Sequence, residues 1–202
     1  MKKRIAVLGS TKGTDFPAVY NSVKEFNAEI SVVISDKKDS GILEKAKEKK
    51  IEALFFDSKE FNSREEFDDK ILEELKKRKI DLVVLIGYMK LISKNFLQAY
   101  KNKIMNIHPS LLPSFPGMDL NVHKEVLEYG CKISGATVFF VDEGKDTGPI
   151  ILQKTVFVSE KESIESLKEK IQLIEQEILS KAIKLFCENK LKVEGRKVKI
   201  ME

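Results

Sequence analysis

The chain has 202 residues, of which 42% are hydrophobic and 34% charged, with a formal net charge of +4 at pH 7. These values are typical of a globular domain and exclude a disordered or fibrous chain. No apolar run reaches the roughly eighteen residues of a membrane span, and no secretory core is recognisable, so we expect no membrane partner and a cytoplasmic location. The 36 basic residues are interleaved with 32 acidic ones, so we expect no nucleic-acid partner.

The first hundred residues alternate between short β-branched runs and helical patterns. Strands are predicted at residues 4–8, 30–35, 53–56, 81–86 and 103–108. The segments between them repeat apolar residues every three or four positions, as in Phe16, Val19, Tyr20, Val23 and Phe26. This alternation predicts an α/β fold with a Rossmann-type wound sheet that is mostly parallel and carries helices on both faces.

The second half of the chain has a different pattern of predicted elements. A proline-rich connection at residues 109–117 precedes a predicted helix at 121–129, strands at 136–142 and 150–158, and a long amphipathic helix at 163–187. Residues 191–200 predict a small hairpin that turns at Glu194 and Gly195. Because no linker or repeat interrupts the chain, we predict a single domain at residues 1–189 with a hairpin extension at residues 190–202.

The most informative run is Asn-Ile-His-Pro-Ser-Leu-Leu-Pro at residues 106–113. Side chains alternate across a strand, so Asn106 and His108 project to one side, and Pro109 cannot continue a central ladder. This places the pair at the carboxyl end of a strand, where open α/β sheets bind ligands. We favour catalysis, because histidine suits proton transfer near neutral pH and an amide can bind an oxyanion. The alternatives are a structural histidine held by the backbone and an asparagine that stabilises a turn.

Asp146 lies in the run Asp-Glu-Gly-Lys-Asp-Thr-Gly-Pro at residues 142–149. This composition suits an ordinary turn as well as a catalytic loop. If the loop reaches the cleft, its carboxylate would favour the imidazolium form of His108 and orient the ring, so that the pair could relay a proton.

Residues 9–15, Gly-Ser-Thr-Lys-Gly-Thr-Asp, follow the first strand and open the first helix, where main-chain amides could bind a phosphate. The run matches neither the dinucleotide-binding pattern nor the P-loop, and Asp15 equally suits a helix N-cap. Gln172, Glu175 and Arg64 are by themselves ordinary surface residues of helices. The two histidines and two cysteines form no cluster, so no metal site is predicted.

Together these features resemble the phosphoribosylglycinamide formyltransferase family, the folate-dependent enzymes of purine synthesis. The resemblance spans residues 5–188 and rests on residues 106–113, on Pro116 and Gly117, on Gly-Ala-Thr-Val at 135–138 and on Asp-Thr-Gly-Pro-Ile-Ile-Leu-Gln at 146–153. The chain departs from the usual family sequence at Thr14 and Asp15, at residues 118–123 and at Phe139. The resemblance implies a formyltransferase-like fold, with a phosphate- and ribonucleotide-binding half at residues 1–100 and a catalytic and folate-binding half at residues 101–189.

The resemblance also implies a role for particular residues. The catalytic residues of such enzymes correspond to Asn106, His108 and Asp146. The residues that bind the ribonucleotide correspond to Thr11, Lys12, Gly13, Thr14, Asp15, Gln172 and Glu175. The residues that bind folate correspond to Arg64, Met89, Lys90, Leu91, Ile92, Asn106, Val141 and Asp142. No metal is implied.

The implied reaction transfers a formyl group from the cosubstrate 10-formyltetrahydrofolate to the amine of glycinamide ribonucleotide. The expected partners are these small molecules, and the expected assembly is a monomer or weak homodimer. A formyltransferase that acts on an amino sugar nucleotide or on methionyl-tRNA remains an alternative, although the methionyl-tRNA enzymes carry a further carboxy-terminal domain. A non-catalytic module that binds a nucleotide or folate is the alternative from another class.

Overall fold

A computed structural model of the protein describes residues 2–117 and 121–201. The chain divides into two compact units, Met1–Asn106 and Ile107–Glu202. Met118, Asp119 and Leu120, which belong to the segment that departs from the usual family sequence, lie outside the described residues. Within the described residues, none of the helices combines the length and the apolar composition that crossing a bilayer requires.

The first unit contains parallel strands in the order β3-β2-β1-β4-β5. They are β1 (Lys3–Leu8), β2 (Ala28–Ser35), β3 (Ala53–Phe55), β4 (Leu82–Leu85) and the beginning of β5 (Ile104–His108). The helices between them are α1 (Phe16–Ser22), α2 (Gly41–Glu48), α3 (Arg64–Lys77) and α4 (Lys94–Ala99), with a short 3₁₀ helix at Ser58–Glu60. Residues 5–8 and 82–85 are all buried, as expected for central strands covered on both faces. The predicted parallel α/β fold is confirmed.

Helix α1 is shorter than the apolar periodicity predicts. The pattern continues to Phe26, but the helix ends at Ser22, whose hydroxyl donates to the Val19 carbonyl at 2.9 Å. A serine that hydrogen-bonds back to the preceding turn competes with continued helix formation. Residues 23–27 therefore form turns that lead into β2.

The second unit contains strands in the order β6-β7-β9-β8. Strand β6 (Ile133–Phe140) runs antiparallel to β7 (Ile150–Phe157), which pairs in parallel with β9 (Lys197–Ile200), and β9 pairs antiparallel with β8 (Leu191–Glu194). Helix α5 (Val122–Glu128) precedes β6, and helix α6 (Ile164–Cys187) packs on β6 and β7. The buried stripe of α6 consists of Leu167, Ile171, Ile174, Ile178, Leu179, Ala182 and Ile183.

Three predicted boundaries in this unit, both ends of β6 and the hairpin turn, are wrong by one to three residues. Strand β6 begins at Ile133 and ends at Phe140, whereas the sequence pattern placed it at residues 136–142. The hairpin turns at Gly195 and Arg196, because Glu194 still pairs with Lys197. Gly195 has φ of +61°, and the two-residue turns that suit a hairpin need positive φ at their first central position. The glycine is therefore the first residue of the loop.

Candidate active site

Strand β5 ends at His108, as the following proline predicts. His108 is only 5% exposed, and Asn106, two residues earlier on the same strand, is half-buried. The pleat of a strand places residues two apart on the same face. An amide donor and a titratable ring therefore follow each other at the carboxyl end of a buried strand.

The His108 ring is hydrogen-bonded at one nitrogen and faces a carboxylate with the other. Nε2 lies 2.7 Å from the main-chain carbonyl oxygen of Phe115, and Nδ1 lies 3.8 Å from Oδ2 of Asp146. A carbonyl oxygen can only accept a hydrogen bond, so Nε2 carries a hydrogen and donates it. In the neutral ring, Nδ1 therefore carries the lone pair, and it faces a carboxylate.

Asp146 is held in place by the chain that follows the histidine. Its Oδ2 accepts a hydrogen bond of 2.7 Å from the main-chain amide of Gly117. Asp146 has φ of +53°, a left-handed conformation that short polar side chains tolerate better than most. A main-chain donor thus fixes the same oxygen that faces His108.

The loop that carries Asp146 is closed by a second carboxylate. Asp142 Oδ1 accepts from the Gly144 amide at 3.1 Å and from the Thr147 hydroxyl at 2.7 Å. At Gly148 there is no room for a side chain, since an added Cβ would lie 1.7 Å from the Phe140 carbonyl oxygen. The sequence of this loop therefore specifies a compact turn that also presents Asp146 to His108.

A second histidine lies in the same unit. Burial lowers the pKa of His123, and the nearby positive charges of Lys168 and His108 lower it further. Its Nδ1 is buried and finds no hydrogen-bond partner among the described residues. Its surroundings therefore favour the neutral form of His123.

In the first unit, residues 9–15 form a tight loop between β1 and α1. Gly13 has φ of +60°, and an added Cβ there would lie 2.6 Å from Cγ1 of Ile42. The Thr11 carbonyl accepts from the Ile42 amide at 3.2 Å, and the Lys12 carbonyl accepts from Lys45 Nζ at 2.5 Å. Thr14 is exposed, and Asp15 occupies the N-cap position of α1, but its side chain makes no capping hydrogen bond.

Thr11 and Lys12 line a cavity of about 400 Å³ beside this loop. Lys37 and Lys38, from the connection between β2 and α2, line the same cavity. The lining contains three lysines and one carboxylate, Asp39, so positive charge is in excess, which suits an anionic group.

The loop at residues 87–92 is tied to this first loop through Ser10. The Ser10 amide donates to the Gly87 carbonyl at 3.0 Å, and the Met89 amide donates to Ser10 Oγ at 3.0 Å. Ser10 Oγ in turn donates to Asp36 Oδ1 at 2.5 Å. One buried carboxylate therefore orients the hydroxyl that fixes the start of the 87–92 loop.

The end of the 87–92 loop is fixed by Asp68. Its Oδ2 accepts from the Ser93 amide at 2.6 Å, while its Oδ1 and the Tyr88 hydroxyl are buried with no hydrogen-bond partner in the part of the chain that the structure describes. Burial raises the pKa of Asp68, because desolvation disfavours the charged carboxylate. Met89 and Leu91 are exposed, whereas Lys90 and Ile92 are half-buried. The loop therefore leaves the side chains of Met89 and Leu91 accessible.

A second cavity, of about 430 Å³, joins three residues that the resemblance assigns to folate. These are Arg64, Lys90 and Leu91, and Phe61 and Phe67 line the cavity with them. Arg64 is the first residue of α3, and Lys90 Nζ lies 5.4 Å from the centroid of the Phe67 ring. Aromatic walls next to two cations suit a molecule with a flat ring and carboxylates, as folate has.

The other candidates occupy separate elements. Gln172 and Glu175 are half-buried on α6, and Val141 and Asp142 directly follow β6. No residue pattern predicted the contacts of Ser10 with the 87–92 loop, of Gly117 with Asp146 or of Phe115 with His108. The Pro-Gly pair at 116–117 was a visible signal for a special turn, whereas a main-chain carbonyl such as that of Phe115 leaves no signal in residue type.

Comparison with known proteins decides the family. The model of the formyl transferase family matches residues 3–183. The chain belongs to the formyl transferase family. It is 38% identical over 184 residues to a phosphoribosylglycinamide formyltransferase of Bacillus subtilis, and the match covers 90% of this chain and 93% of that protein. This formyl transferase family member is therefore an enzyme, and the resemblance inferred from residues 106–113 and 146–153 is confirmed.

Solved structures agree with this assignment of the formyl transferase family. Glycinamide ribonucleotide transformylase 1 from Symbiobacterium toebii superposes with a TM-score of 0.95 at 43% identity, over 100% of this chain and 95% of that one. A formyltetrahydrofolate deformylase from Pseudomonas syringae superposes with a TM-score of 0.90 at 26% identity, over 100% of this chain and 67% of that one. The fold is therefore shared with relatives whose names state different activities.

Proposed function

We propose that the chain transfers the formyl group of 10-formyltetrahydrofolate to the amine of glycinamide ribonucleotide, giving formylglycinamide ribonucleotide and tetrahydrofolate. The relatives that support this proposal carry that activity in their names and match this chain over 93% and 95% of their own lengths. The single observation that carries it is the pair of His108 Nδ1 and Asp146 Oδ2, 3.8 Å apart, in a buried setting.

The first step forms a bond between the amine nitrogen and the formyl carbon. As it forms, the formyl oxygen becomes an oxyanion, and the Nδ1 hydrogen of the His108 imidazolium donates to it. The side-chain amide of Asn106 is the second donor to the oxyanion. The carboxylate of Asp146 stabilises the imidazolium, since opposite charges at this distance favour the charged ring.

The second step breaks the bond between the formyl carbon and the folate nitrogen N10. The attacking amine has become positively charged and must lose a proton, while N10 must gain one as it leaves. Asp146, through a water molecule, accepts the proton from the amine and returns it to N10, so that protons and charges balance.

The residues that bind each substrate are those that the family resemblance implies. The phosphate binds at residues 11–15, where the lysine-lined cavity provides positive charge, and Glu175 and Gln172 contact the ribonucleotide. The folate tail occupies the cavity beside Arg64 and Lys90. The pterin lies against residues 89–92, Asn106, Val141 and Asp142. We further propose that the enzyme is cytoplasmic, that it is a monomer or weak homodimer, and that it acts on small molecules only.

The test is a transfer assay with labelled formyl donor and the purified full chain. Glycinamide ribonucleotide, an amino sugar nucleotide and methionyl-tRNA are offered separately as acceptors, with one reaction that contains no acceptor. We expect label to move to glycinamide ribonucleotide and tetrahydrofolate to appear in equal amount. The His108→Ala variant, checked for an unchanged melting temperature, should lose at least about 10³-fold in turnover.

Other outcomes would contradict the proposal. Label on another acceptor would assign the enzyme to that amine, and donor binding without transfer would indicate a binding module. Equal release of tetrahydrofolate with and without an acceptor would make water the acceptor, the reaction named for the Pseudomonas syringae relative.

A further inference from the structure

We propose that Ser110 is a positioning residue for His108: its hydroxyl fixes the turn at residues 110–115, and this turn holds the Phe115 carbonyl against Nε2 of the histidine. The ring is thereby restricted to the tautomer with hydrogen on Nε2, and proton exchange is confined to Nδ1. The effect on turnover rests on the function proposed above, whereas the tautomer is a property of the protein alone.

Ser110 is placed to control this turn. It is 1% exposed, and its hydroxyl donates to the Ser114 carbonyl at 2.5 Å and lies 3.4 Å from the Phe115 carbonyl oxygen. A hydroxyl has one hydrogen, so the shorter bond to Ser114 dominates. Because the Ser114 carbonyl belongs to the peptide that precedes Phe115, this bond sets the orientation of the residue whose own carbonyl accepts from His108.

The turn needs such a constraint because Phe115 is strained. Its φ is +50°, in the left-handed region that residues with bulky side chains rarely occupy. Its ring meets the Tyr129 ring edge-on with the centroids 6.0 Å apart, but Tyr129 is 83% exposed, so this contact constrains the main chain weakly. Loss of the Ser110 hydrogen bond would let the main chain of Phe115 leave its left-handed conformation. The Phe115 carbonyl would then move away from the histidine.

The start of the turn is fixed independently by two side chains of β6 and β7. Thr137 Oγ1 donates to the Ser110 carbonyl at 2.7 Å and accepts from the Leu112 amide at 3.0 Å. Gln153 Nε2 donates to the Leu112 carbonyl at 3.0 Å and to Thr137 Oγ1 at 2.9 Å. The Ser110 hydroxyl therefore connects a rigid base to the strained end of the turn.

The tautomer matters because the two ring nitrogens face different groups. With hydrogen on Nε2, the neutral ring presents a lone pair at Nδ1, and protonation places a hydrogen there, towards the carboxylate of Asp146. With hydrogen on Nδ1 instead, the Nε2 lone pair would face the lone pairs of the Phe115 carbonyl, which is repulsive. The imidazolium therefore carries at Nδ1 the hydrogen that donates to the oxyanion in the proposed mechanism.

The chain offers a clean measurement, because it contains two histidines, His108 and His123. Nitrogen-15 spectra of the histidine-labelled full chain, above the pH at which the rings titrate, distinguish the nitrogen that carries hydrogen from the one that does not. A His123→Gln variant assigns the signals. We expect wild-type His108 to have hydrogen on Nε2 only.

The variant that tests the role is Ser110→Ala, and Ser114→Ala is its matched control, because the Ser114 side chain is exposed and only its main chain takes part. Ser110→Ala should give averaged nitrogen signals for His108 and about a tenfold lower kcat, with both KM values unchanged. Ser114→Ala should leave the signals and kcat as in the wild type.

Three results would overturn the inference. They are hydrogen on Nδ1 in the wild type, wild-type signals in Ser110→Ala, and an equal effect of both alanine variants. If Ser110→Ala does not fold, Ser110→Cys, whose thiol is a weaker hydrogen-bond donor, should shift the tautomer, and wild-type spectra in this variant would refute the proposal. A wild type with the expected tautomer but no transfer activity would refute the proposed function alone.

Discussion

Replacing Asp146 by asparagine removes one negative charge beside His108 and keeps the shape of the side chain. The carbonyl oxygen of the introduced side-chain amide can still accept from the Gly117 amide, which donates to Asp146 at 2.7 Å. The substitution therefore removes the charge beside His108 together with the carboxylate that relays the proton in the proposed mechanism, and it keeps the structure of the loop.

The size of the effect follows from the distance between the two groups. His108 Nδ1 and Asp146 Oδ2 are 3.8 Å apart, and their side chains are 6% and 12% exposed. At an effective dielectric constant of about 20, opposite charges at this separation attract by about 4 kcal/mol. This attraction is present when the ring is an imidazolium, the form that donates to the oxyanion, so its loss should lower kcat by about 10²- to 10³-fold.

The assay is the steady-state rate of tetrahydrofolate formation with both substrates varied. We expect kcat to fall and the KM values to stay within about threefold, since the charge acts on the reacting state more than on binding. Glu143→Gln is the matched control, because it removes an exposed carboxylate from the same loop and should change kcat less than about twofold.

The reasoning would be refuted if a folded Asp146→Asn variant kept kcat within about fivefold of the wild type. The same conclusion would follow if Glu143→Gln lowered kcat as much as Asp146→Asn, because the effect would then come from the net charge of the loop. A large rise in KM with unchanged kcat would assign Asp146 to substrate binding.

Three further changes test other parts of the molecule. Ser10→Ala leaves the Met89 amide without its acceptor, so the KM for the formyl donor should rise about five- to tenfold in steady-state kinetics, and a change in kcat alone would contradict this. Burial raises the pKa of Asp68 above its ordinary value of 3.8. The folded state therefore binds the proton more tightly than the unfolded state, and the free energy of unfolding falls as the pH rises from 3.8 through the pKa of the folded state. Asp68→Asn should abolish this loss in urea unfolding series, whereas parallel stability curves for variant and wild type would disprove it. Gly148→Ala places a Cβ 1.7 Å from the Phe140 carbonyl oxygen and should reduce the free energy of unfolding by about 3 kcal/mol or more, and an unchanged melting temperature would show that the loop can open.

Local patterns were sufficient to predict much of the fold. The apolar runs of β1 and β4 and the stripe of α6 are found where the sequence placed them, since burial on both faces of a strand or on one side of a helix requires those residue types. The errors lie at boundaries. Helix α1 ends at Ser22 and the hairpin turns one residue later than predicted, because local hydrogen bonds and pair register set element ends.

The sequence by itself determined the strand that carries Asn106 and His108 and the face they share, because alternation along a strand is a local property. Only the tertiary structure decided that Asp146, far along the chain, lies beside the histidine, and that Phe115 and Gly117 hold the two groups through main-chain atoms. Every residue type carries a carbonyl, and every type except proline carries an amide, so such contacts are invisible in a sequence. They exist only once the folded loops bring those atoms within hydrogen-bonding distance.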